Sequence, residues 1–206
     1  ITKALAAANV TLEEVDVIEL IGGGMRVPKV QSSLKSVLGE KELGMHINSD
    51  ESMALGASFY GANISSAFRV RQVGLVDINP FPIGVSLENL DGMGDESADD
   101  EEAWGKKATI FKANSKIGVK KTIAFTHDED VHCSLDYAEP DTLPAGAQKE
   151  LLRYKISGVA AFAKEMEEKG LGKPKVSLQF ELSSSGTTSL VKAEAAVEEK
   201  YTVEVE

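Results

Sequence analysis

Three glycines and a cation, "GGGMR" at residues 22–26, are the residues here whose types and spacing point most directly to chemistry. Gly22, Gly23 and Gly24 let a backbone pass close to a flat or charged ligand, because no Cβ stands in the way. Arg26 carries a planar guanidinium that stacks on an aromatic base or pairs with a carboxylate. Pro28 suits the first turn of a helix, where its missing N–H costs nothing, and helix N-termini attract anions. Two phosphate-binding patterns nevertheless fail. "GGGMRVPK" has neither the spacing nor the hydroxyl of the phosphate loop G-x-x-x-x-G-K-[ST]. The dinucleotide fingerprint G-x-G-x-x-G is met by Gly22 and Gly24 but finds Val27 in third place. On these residues alone, a structural turn and a ligand site stand level.

The other reactive side chains carry less. Cys133 is the one cysteine, so no internal disulfide forms. Its alternating surroundings read as a small buried hydrophobe rather than a nucleophile. His127 and His132 bracket three acids, Asp128, Glu129 and Asp130. No zinc spacing exists there, and an acidic hairpin turn explains the cluster better than a metal. His46 is isolated. The net charge of −11, from 33 acids against 22 bases, argues against nucleic-acid and anionic-membrane partners. No apolar run is long enough for a membrane-spanning helix. Sequons at Asn9 and Asn63 lean towards a secretory address.

The elements that must position these groups change period near residue 75. Before it, Ile1–Ala8 reads as the tail of a helix and Asp16–Ile21 as a strand. Val30, Leu34, Val37 and Leu38 share one face of a helix after the glycines. Asn48 with Glu51 predicts a capping box opening a helix to about Ala67. After residue 80 the period is two. Segments at 83–87, 108–112, 117–125, 131–137, 152–157, 176–182, 187–195 and 201–206 alternate or run as strands. Such short antiparallel strands predict a sandwich or barrel. The stretch 69–82, with an Asn-Pro step, reads as a linker. Residues 91–107 break the β-region, with six acids between 95 and 102. Charge so dense reads as a solvated insertion rather than a docking site, with Trp104 as its anchor.

Two blocks, "VIELIGGGMRVPKVQSSL" and "INSDESMALGASFYGANIS", carry a resemblance when taken together. They resemble the closing segment of the ATPase domain of the seventy-kilodalton heat-shock chaperone family. That family shows a strand, G-G-x-x-R-[IV]-P, a helix, then N-x-D-E-x-x-x-x-G-A. "FRVRQVGLVDINPFPIGV" resembles its linker and the first strand of its peptide-binding domain, and "KVSLQFELSSSGTTSLVKA" resembles later strands. The resemblance covers nearly the whole chain and is strongest over residues 14–87.

The resemblance implies an α/β fragment closing an actin-like ATPase domain, followed by an all-β antiparallel sandwich. It implies boundaries of 1–68 for the nucleotide-binding part, 69–81 for the linker, and 82–206 for the substrate-binding domain with its insertion at 91–107. Gly22, Gly23 and Gly24 would pass beside the ribose and inner phosphate of ATP or ADP. Arg26 would flank the adenine and Asp50 would close the pocket. Gly24 stands where typical members have Ser, and Met25 where they have Thr, so a hydroxyl that bonds the base is lost. Magnesium and the catalytic carboxylates belong to parts of the domain this chain does not contain, so hydrolysis by this segment alone is not expected. Phe125, Val131, Cys133 and Leu135 would line the groove for unfolded polypeptide, though plain core packing also explains them.

A linker without the usual leucine run, the acidic insertion and a long loop at 160–175 are similar to the large members of the family. These are the hundred-and-ten-kilodalton and glucose-regulated hundred-and-seventy-kilodalton proteins. The resemblance then implies a nucleotide-exchange factor for an ordinary heat-shock chaperone and a holder of unfolded chains. It implies the endoplasmic reticulum lumen, with cytoplasm as the alternative. An ordinary peptide-cycling chaperone and a structural β-sandwich module are the rival readings.

Overall fold

A computed structural model of the chain describes residues 1–67, 69–90 and 104–199. It divides into two compact units, Ile1–Gly74 and Leu75–Glu206.

The first unit is mixed α/β. It runs α1 (Thr2–Ala8), β1 (Ile18–Glu19), a 3-10 turn (Gly23–Arg26), α2 (Pro28–Leu38), β2 (Leu43–Gly44) and α3 (Ser52–Ile64). The strand expected over Asp16–Ile21 is cut to two residues. Its parallel partner β2 offers only Leu43 and Gly44 to pair with Ile18 and Glu19. A Cβ on Gly44 would collide with a Glu19 carboxylate oxygen, so any side chain there would displace that carboxylate. Helix α2 has Pro28 in its first turn and stops at Gly39, whose φ of 63° favours glycine. Of its apolar residues only Leu38 is buried, while Val37 stays exposed.

Helix α3 departs from expectation at both ends. The Asn48–Glu51 capping box does not form. Asn48 instead accepts the Asp50 N–H on its side chain at 3.1 Å, and its main-chain oxygen accepts the Ser52 N–H at 2.9 Å. A local side-chain turn of this kind competes with a cap. The helix ends at Ile64, not Ala67, and Ser65 is extended. Asn63 is turned towards the outgoing chain, where its carboxamide donates to the Val73 carbonyl at 2.9 Å and accepts the Val73 N–H at 3.2 Å.

The second unit holds antiparallel sheets. One has four strands in the order β5-β4-β8-β9: β4 (Ile83–Asn89), β5 (Gly105–Phe111), β8 (Val131–Tyr137) and β9 (Glu150–Ile156). The other has the order β11-β10-β7: β7 (Val119–Thr126), β10 (Lys175–Leu182) and β11 (Thr188–Ala196). A small ladder joins β3 (Ile78–Asn79) to β6 (Ser115–Lys116), so two residues read as linker pair within this unit. Seven of the eight expected strands are among the described residues. The segment 201–206 and the acidic run at 95–102 lie outside them.

Both sheets feed one apolar core. Val85, Leu87, Val131, Cys133 and Leu135 come from the first sheet, and Phe125, Val176, Leu178, Phe180 and Leu182 from the second. On β10 the alternation is complete, with Val176, Leu178, Phe180 and Leu182 buried and the residues between them not. Such a strand faces a core on one side and is wetter on the other. The stretch 160–175, read as a long loop, instead begins in helix α4 (Val159–Glu168). Val159, Ala163 and Met166 recur at i, i+4 and i+7 and are buried, which gives the helix its inner face. Asp130 accepts the N–H of Ala160 at 3.1 Å and ties the start of α4 to the turn after β7.

Candidate functional site

The glycine corner is open. Gly22 adopts φ 94°, a conformation that excludes ordinary side chains, and it turns the chain from β1 into the 3-10 turn. Gln31 donates from its side chain to the Met25 carbonyl at 2.7 Å and fixes that turn against α2. At Gly23 and Gly24 a Cβ would meet no atom within 4 Å. The space beside them is therefore free, not packed shut. Arg26 leaves the end of the turn and donates to the Asp50 carboxylate at 2.6 Å, with both side chains largely exposed at 64% and 60%. The structure thus brings Arg26 and Asp50 together, 24 residues apart in sequence. The carboxylate holds the guanidinium in one orientation while leaving it accessible.

A second cluster in this unit was not visible in the sequence. Glu19 accepts the N–H groups of His46 and Ile47 at 2.5 and 3.0 Å and meets His46 Nδ1 at 3.0 Å. The contact with the imidazole holds Glu19 below the usual carboxylate range and pushes His46 up. The parallel pairing of β1 with β2 creates the contact, and no local motif announces it.

In the second unit the four expected groove residues part company. Val131, Cys133 and Leu135 are fully enclosed in the core. Their strand β8 is paired on both sides, by β4 and β9. They offer no surface to a ligand in this conformation. Burial pushes the Cys133 thiol up to about 12, which leaves it protonated and unreactive. Phe125 differs, because β7 is an edge strand among the described residues. With Val85, Leu87, Ala108, Ile123 and Ala124 it lines an apolar cavity of about 500 Å³, at which Lys106 and Lys107 also stand.

An aromatic stack lies next to Phe125. Trp104 stacks on His127 with ring centroids 3.8 Å apart, and its ring lies 5.5 Å from that of Phe125. Trp104 therefore anchors the start of β5. His127 is buried and meets the Asn89 side-chain oxygen through Nε2 at 2.9 Å. Burial pushes its pKa down, partly opposed by Asp128 and Glu129. His132 instead sits on β8, with a buried Nδ1 that finds no partner among the described residues. Among the described residues, no group of three or more His, Cys, Asp or Glu gathers to hold a metal.

The family model described as "Hsp70 protein" matches residues 1–206. Heat shock 70 kDa protein 17 of Arabidopsis thaliana is 32% identical over 94% of this chain and 22% of its own length. Hypoxia up-regulated protein 1 of Xenopus tropicalis is 32% identical over 96% of this chain and 31% of its own. A heat shock protein homolog of Naumovozyma castellii is 33% identical over 77% of this chain and 22% of its own. The chain thus spans between about a fifth and a third of these relatives, which belong to the large branch that its sequence resembles.

Proposed function

The chain belongs to the Hsp70 protein family, and we propose that it joins the closing part of an ATP-binding domain to a polypeptide-binding β-sandwich. The observation that carries the nucleotide reading is the Arg26–Asp50 pair beside an open glycine corner. A guanidinium locked by a carboxylate presents a flat cationic face at little entropic cost, and purine bases stack on such faces. Gly22, Gly23 and Gly24 let the ribose and inner phosphate approach the main chain. Asp50 keeps Arg26 in place. The groups that would hold magnesium and the outer phosphates are not among these residues. ATP bound here acts as a conformational ligand, favouring whichever arrangement of the two units binds it better.

For the second unit, the shared core supports the sandwich reading, and the cavity beside Phe125 supports polypeptide binding. Apolar side chains of an extended segment would enter over Val85, Leu87 and Ile123, and exposed sheet edges would supply backbone partners. The likeness to the hypoxia up-regulated relatives supports a parent that exchanges nucleotide on an ordinary Hsp70 partner and holds unfolded chains. It also favours the lumen of the endoplasmic reticulum over the cytoplasm.

Calorimetry with ATP on the full-length protein tests the nucleotide reading. Wild type binds, and Arg26→Ala weakens binding by roughly tenfold, as loss of a charged stacking contact predicts. Absence of binding, or binding that ignores Arg26→Ala, overturns it.

A further inference from the structure

We propose that the cleft between the edges of β5 and β7 selects polypeptide segments whose apolar residues are flanked by acids. The proposal rests on the polypeptide reading of the Phe125 cleft and adds the class of segment that it takes. Residues 105–126, which contain both edge strands, carry six lysines and no acid, in a chain of net charge −11. Two of these lysines, Lys106 and Lys107, line the cleft itself. Among the described residues neither is paired with a carboxylate.

Register gives Lys106 an unusual position. It pairs with Leu87 across the β4–β5 ladder, two residues before Ala108, which pairs with Val85. Leu87 and Val85 are core residues, so alternation places Lys106 on the face of β5 that looks towards the core. Its ammonium lies 6.0 Å from the Trp104 ring and 5.9 Å from the Phe125 ring. A cation held near two aromatic rings at the rim of an apolar cavity keeps its charge beside the apolar floor. It gains from a carboxylate delivered by a ligand and is repelled by another cation. Lys121 is already engaged, donating to the Ile110 carbonyl at 2.9 Å, and Lys120 lies 3.7 Å from Glu181.

Inward-pointing or charged edge residues also discourage sheet-to-sheet aggregation. That role alone has no preference between ligands. Selection by charge does, and the distinction decides the test. A fluorescein-labelled short peptide of leucine and valine flanked by aspartates is compared with its lysine-flanked counterpart by anisotropy against the full-length protein. The acids at 95–102 stay in place, so any competition from them is included in the measured affinities.

The aspartate-flanked peptide binds roughly tenfold tighter, and the preference shrinks as salt rises. The double variant Lys106→Glu with Lys107→Glu, both exposed, reverses the preference, while Lys120→Glu leaves it unchanged. Equal affinity for the two peptides, or a preference untouched by the double variant, overturns charge selection yet leaves the cleft reading standing. Binding of neither peptide, or equal binding by Phe125→Ala, overturns the cleft reading and this proposal with it.

Discussion

The two units bury their apolar residues very differently. In Ile1–Gly74, Leu20 and Leu38 are the buried hydrophobic residues among those described, while Val17, Met45, Met53, Leu55 and Ile64 are all more than half exposed. In the second unit both sheets and α4 close on one core, where Phe111, Phe180, Leu135, Leu178 and Leu182 are fully buried. Secondary structure is therefore not the measure of self-sufficiency. Three helices form in the first unit without enclosing a core, and in α3 not one residue is buried. Helices this short draw their stability from packing rather than from propensity. The first unit leaves most of its apolar residues uncovered, whereas the second encloses its own.

Separating the units gives the largest contrast. A chain beginning at Leu75 unfolds in one cooperative thermal transition followed by circular dichroism, while residues 1–74 alone show none. A cooperative transition for 1–74 breaks the comparison. Next come single truncations in the full chain. Phe180→Ala costs about 3–5 kcal/mol of the second unit's stability, because it opens a cavity among fully buried neighbours. Val37→Ala in α2 stays within about 0.5 kcal/mol, as expected for an exposed position. Denaturant melts of both variants check the pair.

The smallest effect is also the sharpest, because the two units answer pH with opposite sign. His127 in the second unit has a folded-state pKa below its ordinary 6.5 through burial. The unfolded chain then takes up the proton more readily, so His127 contributes stability above about pH 6.5 that is lost as pH falls through the folded value. His46 in the first unit is raised above 6.5 by its hydrogen bond to Glu19. Its contribution is complete below about pH 6.5 and is lost as pH rises through the folded value. His127→Gln flattens the acid-side loss in melting temperature between about pH 7 and about pH 5, and Glu19→Gln removes the elevation of the His46 titration measured by NMR. The same sign for both histidines contradicts the environments described.

Much of the β-region was legible because period two survives any environment that wets one face. The strand at 176–182 is an example. What alternation does not record is whether a strand ends up central or at an edge. Phe125, Val131, Cys133 and Leu135 share an inward parity, yet only Phe125 lies on an edge strand and reaches a cleft. The strands that enclose β8 come from both directions along the chain, β4 before it and β9 after it, so no local pattern announces them. Lys106 was missed for the same reason, since its inward direction follows from pairing with Leu87. Helix α4 was not expected although its i, i+4, i+7 pattern is present, because the stretch 160–175 reads as a loop through its likeness to the large members of the family. The corner at Gly22 was legible as a turn from its glycines and Pro28. Its pairing of Arg26 with Asp50 required the fold that returns α3 to that corner.

The carboxamide of Asn63 grips Val73 through both its nitrogen and its oxygen. Tension pulling on the chain at Leu75 therefore reaches the last turn of α3 through this grip before it reaches Ile64 through the main chain. Two hydrogen bonds loaded together share the pull and then yield together, so the joint behaves as a mechanical fuse: stiff under small loads, then abruptly released.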